Sequence, residues 1–159
     1  MSEYFHFTMM RLAPGSTIEC GNWGRLLRKY ENDTVPGRPL FGNSWILARE
    51  LTFEVVRLRD FQSKPTRWDA SFCLLTQADA DAYRTRFDVH KTQVLHKVTI
   101  VDEEAKTHIG SLEMIAYPPP LTSFIDVTTE RAKNYWSGQG DGLREMIVHS
   151  ALRVTECLG

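Results

Sequence analysis

Leu143-Arg144-Glu145-Met146-Ile147-Val148 is the stretch whose reading decides the fold. Its aliphatic and β-branched residues read as a strand near the C-terminal end. Side chains on a strand alternate faces, so Glu145 shares a face with Leu143 and Ile147. A carboxylate on an apolar face costs free energy unless something pairs with it or binds to it. The plainest outcome is a strand-end glutamate that reaches water or pairs with a neighbouring arginine. A ligand is the other outcome, because the strand follows an aromatic, glycine-punctuated segment, Tyr135-Trp136-Ser137-Gly138-Gln139-Gly140. Read as a loop, that segment can hold a flat ligand against the carboxylate.

Working outward, Leu152 to Glu156 reads as a last strand after a break at Ser150-Ala151, and Asp126 to Asn134 as a short helix with Thr128 as its cap. Ile109 to Tyr117 fits either a strand or a short helix, ended by Pro118-Pro119-Pro120. Gln93 to Val101 alternates and reads as a strand. Gln77 to Phe87 is an alanine-rich helix, with Thr76 as N-cap and Asp79 completing a capping box. Ala70 to Thr76 is a strand entered from the connector Phe61 to Asp69. A longer helix runs from Ser44 to about Arg59, with Leu47, Leu51, Val55 and Leu58 as its core face and Arg49, Glu50, Glu54 and Arg57 on its polar flank. Glu31 to Asn43 holds Pro36-Gly37, Pro39 and Gly42 and reads as a surface loop. Trp23 to Tyr30 is a short helix, Arg11 to Asn22 a loop turning at Pro14-Gly15, and Tyr4 to Met10 the first strand. Helices and strands do not strictly alternate, which favours the α+β class over a doubly wound sheet.

Composition narrows the function classes. The 159 residues fit one domain, 1–159, with 42% hydrophobic and 25% charged residues, ordinary for a globular chain. The net charge of −1 provides no global field for nucleic acid or membrane. It is uneven, however: residues 1–67 carry 10 Lys+Arg and 7 Asp+Glu, or +3, and the rest carries −4. The three cysteines, Cys20, Cys73 and Cys157, form no Cys-x-x-Cys pair, and the five histidines have no metal-ligand spacing, so no metal is expected. No stretch has the roughly 20 apolar residues of a membrane span. With no basic-then-apolar leader at Met1-Ser2-Glu3-Tyr4, a cytoplasmic, reduced protein is expected.

Three constellations remain after zinc-protease helices, phosphate-binding loops and nucleophile elbows are found absent. His6 and Thr8 sit two apart on the first strand, so both point one way and either grip a ribose or an amide or are simply polar residues of a half-exposed edge strand. Thr66-Arg67-Trp68 enters a strand ahead of Tyr83 on the next helix, either an arginine and aromatics suited to phosphate and a flat ring or an aromatic core with a solvated arginine. Tyr135-Trp136, with Gly138, Gly140 and Gly142 behind, leads into Glu145 either as a shaped, mobile site or as a surface turn.

Together these resemble the ADP-ribosyltransferase superfamily, and more narrowly small bacterial domains related to the rifampin-modifying transferases. The resemblance runs from Phe5-His6-Phe7-Thr8 and Leu12-Ala13-Pro14-Gly15 through Leu47 to Glu54, Thr66-Arg67-Trp68, the helix with Ala80 and Tyr83, and Tyr135-Trp136-Ser137-Gly138 to Arg144-Glu145-Met146-Ile147-Val148. It implies a split mixed β-sheet around an NAD cleft with helices on the flanks. It implies NAD as substrate and Glu145 as the catalytic carboxylate. His6 would hold the nicotinamide-side ribose beside Thr8, and Tyr83, or alternatively Trp68, would take the aromatic position. Transferases that modify arginine usually carry a second Glu or Gln two residues before the catalytic one. Leu143 stands there, which points to another acceptor: a nucleic-acid base, a small molecule or a protein side chain other than arginine. The resemblance further implies an intracellular toxin or phage-defence effector, held by an antitoxin protein. An NAD glycohydrolase and a non-catalytic interaction module are the alternative expectations.

Overall fold

The computed structural model describes residues 2–28, 44–87 and 92–159. The loop expected over Glu31 to Asn43 lies outside them, as does Tyr30 at the end of the first expected helix.

The chain is an α+β fold with seven strands and four α-helices among the described residues. The elements are β1 Tyr4–Thr8, β2 Thr17–Ile18, α1 Asn22–Arg28, α2 Ser44–Asp60, β3 Ser71–Leu74 and α3 Gln77–Arg86. Then follow β4 Val94–Ile100, β5 Thr107–Ser111, a 3₁₀ turn Leu112–Ile115, α4 Phe124–Trp136, β6 Arg144–Val148 and β7 Leu152–Cys157. One open sheet has the order β2-β7-β4-β1-β3-β6-β5. Every pairing in it is antiparallel, so the mixed sheet expected above is corrected to an antiparallel one. The two sequence signals at 109–117 are both right in turn: a strand ends at Ser111, and the 3₁₀ turn begins there, its Glu113 N–H capped by the Ser111 hydroxyl.

Period-2 patterning assigns the faces of β6. Met146 and Val148 join Ile18, Cys73, Val98, Leu152 and Val154 on one side. Ile147 packs on the other side against Phe53 and Val56 of α2 and Ala132, Tyr135 and Trp136 of α4. A third cluster, Phe5, Leu74, Ala80, Leu95 and Leu112, lies under α3. The expected capping box at the start of α3 is present, with the Asp79 amide donating to the Thr76 hydroxyl and the Thr76 amide to Asp79.

Two helix readings are corrected. On α2, Leu51, Val55 and Leu58 are 46%, 60% and 52% exposed, while Arg49, Glu50, Phe53 and Val56 are buried. Sequence periodicity assigns charged residues to solvent by default. Here mutual ion pairing lets Arg49 and Glu50 go inside, and the helix turns its aliphatic Leu/Val row outward. On α4, Ser123 rather than Thr128 is the cap, with the Asp126 amide donating to its hydroxyl, and the helix continues through Tyr135 and Trp136. Those two aromatics are therefore the buried last residues of a helix and not a loop. The glycine segment after them is fastened by Arg144, which donates to the carbonyls of Gly138 and Gly140 at 3.1 and 2.6 Å.

The middle of the sheet is its thinnest joint. β1 runs beside β4 from Tyr4–Val98 to Thr8–Val94, but meets β3 at the single register pair Phe5–Leu74. Beyond that pair the strands part. The carbonyl of Phe72, left without a ladder partner from β1, is met by the His6 imidazole, Nδ1 at 2.6 Å.

Candidate functional site

A cavity of about 450 Å³ opens along this joint. His6 and Thr8 of β1, Phe72 and Leu74 of β3, Tyr83 of α3, Trp23 and Leu26 of α1, Gln93 before β4 and Glu145 of β6 all line it. The volume lies within the roughly 300–1,000 Å³ of small-molecule sites. Glu145 is the only charged side chain among the described lining residues.

His6, Thr8, Tyr83 and Cys73 on the wall have defined states. The Phe72 carbonyl can only accept, so His6 presents Nδ1–H to it and leaves Nε2 as a lone-pair acceptor. Burial holds the His6 pKa below its ordinary value, against the pull of the Phe72 hydrogen bond, with His96 adding a smaller push in the same direction. Neutral imidazole is thus the resting form. The Thr8 hydroxyl donates to the Met10 carbonyl at 2.5 Å, which commits its proton to the chain. The Tyr83 phenol is pushed up to about 12 by burial and by the charge of Glu145. Cys73 also lines the cavity, but burial raises its thiol to about 12, so at neutral pH it is no thiolate nucleophile.

Glu145 is 6% exposed and held from behind. Its Oε1 accepts from Arg67 Nη1 and, at 2.9 Å, from the Tyr135 hydroxyl. Its Oε2 makes no hydrogen bond among the described residues. Arg67 Nη1 also donates to the Tyr135 oxygen at 2.7 Å, and Arg67 Nε donates to Glu50 Oε2 at 3.1 Å. Arg49 closes the row, donating to Glu50 Oε1 at 2.8 Å and to the Ile115 carbonyl at 2.7 Å. The buried charges therefore alternate, Arg49, Glu50, Arg67, Glu145, and sum to zero. Burial pushes the Glu50 carboxyl upward, but the two arginines outweigh it and hold it below its ordinary value. Burial and the charge of Glu145 keep the Tyr135 phenol well above its ordinary value despite Arg67, so its proton stays in place to be donated.

The structure thus brings His6, Thr8, Tyr83 and Glu145 to one cavity and keeps the other expected residues off its wall. Arg67 and Tyr135 sit behind the wall and donate to Glu145. Thr66 donates to Glu54 Oε2 at 2.8 Å, fastening the connector to α2. Trp68 offers its carbonyl to the Gly24 amide at 3.0 Å and its ring to Arg28, with the Arg28 Cζ 5.9 Å from the ring centroid. Trp136 is fully buried, its indole donating to the Phe53 carbonyl at 2.8 Å. Of the two aromatic candidates, Tyr83 is the one on the wall. The arginine partner that the plainest reading of Glu145 allowed is real, and it sits alongside the cavity.

Sequence reasoning missed Glu50, Trp23 and Gly110. The available signal was Gly110 itself, a glycine inside a strand, which marks a close approach. It lies opposite Glu145 in the β5–β6 register, and a Cβ there would overlap the Tyr135 ring. Gly110→Ala is expected to cost about 1–3 kcal/mol, as overpacking does, because the buried ring has no room to retreat. Urea denaturation measures this; an unchanged midpoint would show that the ring moves freely and that Gly110 does not seat it.

Among the described residues no His, Cys, Asp or Glu side chains cluster as metal ligands, and no helix is long and apolar enough to cross a membrane. The chain belongs to the family described as "Protein of unknown function (DUF2441)", whose model matches residues 23–158. No curated protein matches it.

Proposed function

We propose that this DUF2441 domain is an NAD-dependent ADP-ribosyltransferase, with the cavity between β1 and β3 as its NAD cleft and that joint as the split of the sheet. The observation that carries the reading is Glu145. One oxygen is clamped by Arg67 and Tyr135, the other makes no hydrogen bond among the described residues, and the residue shares a cavity wall with His6 and Tyr83.

The residues suit the nicotinamide–ribose end of NAD. Trp23, Phe72 and Tyr83 supply flat apolar walls for a ring. His6 Nε2 accepts from a ribose hydroxyl, and Glu145 Oε2 accepts from another. The lone negative charge matches a positively charged pyridinium ring. The described wall carries no lysine or arginine, so the diphosphate belongs outside the cavity.

In the reaction, the bond between the ribose C1′ and the pyridinium nitrogen breaks and its electron pair leaves with nicotinamide. Positive charge develops on the ribose, as in glycoside cleavage. Fixed Glu145 stabilises that charge without reorganising, the circumstance in which a buried carboxylate is most effective. An acceptor oxygen or nitrogen then bonds to C1′ and gives up its proton, with Glu145 placed as the base. Nucleic acid is the acceptor we put forward. Leu143, packed beside the cluster under α3, occupies the place where arginine-modifying transferases carry an acid. The corresponding role is an intracellular toxin or phage-defence effector restrained by an antitoxin protein, and it rests on the resemblance.

The test is incubation of the purified chain with NAD labelled in the adenylate moiety and with cell extract, followed by separation of RNA, DNA, protein and small molecules. Label in RNA or DNA is expected. Label in protein would move the acceptor, free ADP-ribose alone would make the enzyme a glycohydrolase, and intact NAD throughout would overturn the reading.

A further inference from the structure

Glu50 lines no part of the cavity and touches no ligand-facing atom, yet it is fully buried at a cost that needs a reason. Resting on the proposed activity, we infer that Glu50 is a positioning residue that keeps one oxygen of Glu145 available, by preventing Arg67 from taking both.

The argument begins with arginine geometry. A guanidinium beside a carboxylate tends to a two-pronged pair, two N–H groups on two oxygens. Arg67 and Glu145 do not form one. Nη1 reaches Oε1 alone, shares itself with the Tyr135 oxygen, and Nη2 makes no hydrogen bond among the described residues. The pull in the other direction comes from Glu50, whose Oε2 takes Nε at 3.1 Å. Arg49 in turn fixes Glu50 through Oε1 at 2.8 Å and is itself tied to the Ile115 carbonyl. The guanidinium is therefore strung between two carboxylates and turned to offer Glu145 a single prong.

Glu50→Gln removes the charge and leaves one acceptor oxygen for two arginines, Arg49 and Arg67, which loosens that restraint. Arg67 then has one anionic partner, Glu145, and a spare Nη2 to give it. A two-pronged pair would take up Oε2, the oxygen that the proposed reaction uses toward the ribose. Charge counting gives a test that a packing role does not share. Glu50→Gln leaves Arg49, Arg67 and Glu145, a buried excess of one positive charge. Glu50→Gln/Arg67→Gln leaves Arg49 and Glu145, balanced again, with nothing left to capture Oε2.

The experiment measures nicotinamide release from NAD by the parent chain, E50Q, R67Q and E50Q/R67Q, each checked for native circular dichroism, and solves the crystal structure of E50Q. We expect E50Q to lower kcat by about tenfold or more, as loss of an electrostatic partner does. The double variant is expected to regain at least roughly threefold over E50Q, a non-additivity that coupled residues show and independent ones do not. In the E50Q crystal, Arg67 should contact both oxygens of Glu145. If E50Q does not fold, Glu50→Asp replaces it in the crystal arm alone: its charge is kept, but its shortened carboxylate withdraws from Arg67 Nε, which should again let Arg67 contact both oxygens of Glu145. A double variant no faster than E50Q, or a single-pronged Arg67 in the crystal, overturns the inference. A parent chain that releases no nicotinamide defeats the proposed activity instead, and the crystal arm still decides how Glu50 holds Arg67.

Discussion

Glu145→Gln is expected to release nicotinamide from NAD about 10²–10³ times more slowly than the parent chain, the usual cost of deleting one preorganised electrostatic partner of a transition state. The substitution suits the question because glutamine keeps an oxygen to accept from Arg67 Nη1 and from the Tyr135 hydroxyl, so the clamp behind the residue survives. What disappears is the negative charge facing the ribose as positive charge develops there. The loss should therefore appear mainly in kcat, with NAD bound more weakly in calorimetry as its pyridinium charge and one ribose hydroxyl lose their partner, but still held by the contacts proposed for His6 and the aromatic walls. Parent-like turnover in Glu145→Gln would remove the residue from the mechanism and leave the cavity a binding site. The same variant also examines the biology: if the chain arrests growth when expressed in a host, the glutamine form should not.

Arg67→Met should be the most destabilising single change near the site. Removing one member of a buried ion pair leaves its partner uncompensated, at about 3–5 kcal/mol. Here two carboxylates lose their partner together, Glu145 and Glu50, which are 6% and 0% exposed. For a chain of this size each kcal/mol shifts Tm by about 2–4 °C, so a fall of roughly 6–20 °C is expected. Two conditions moderate the effect. Tyr135 still donates to Glu145, and Arg49 still pairs with Glu50. Thermal and urea melts of Arg67→Met beside Arg67→Lys decide the matter: a loss below about 1 kcal/mol in both would mean that the network carries no net stability.

The parts of the fold that were legible in sequence are those governed by local rules. The strand at Glu145, the alternation in Val94–Ile100 and the capping box of Thr76 with Asp79 all follow from neighbours within a few residues. So does the pairing of His6 with Thr8 on one side of β1. The face of α2 was not legible. Its Leu51, Val55 and Leu58 row looks like core by spacing, and only the ionic partners of Arg49 and Glu50 reverse that choice. The end of α4 was misread for a related reason. Glycines after Tyr135-Trp136 suggested a loop, but Gly138, at φ 75°, stands just past the helix, after its C-cap Ser137, and both aromatics are buried by α2 and β5.

By itself, the amino-acid sequence determined the α+β order of elements, the strand that carries Glu145 and the candidate acid on it. Periodicity, capping and turn chemistry act over a few residues and need no knowledge of the rest. Tertiary structure alone decided what surrounds that acid. Arg67 lies 78 residues before Glu145 and 17 after Glu50, and no local pattern announces that three such side chains meet in one buried row. The parting of β1 from β3, which opens a cavity between His6 and Glu145, is likewise a matter of register between distant strands. The physical reason is the same in both cases. The free energy of a buried charge depends on which partner reaches it through a medium of low polarity, and that is set by the packing of the whole chain.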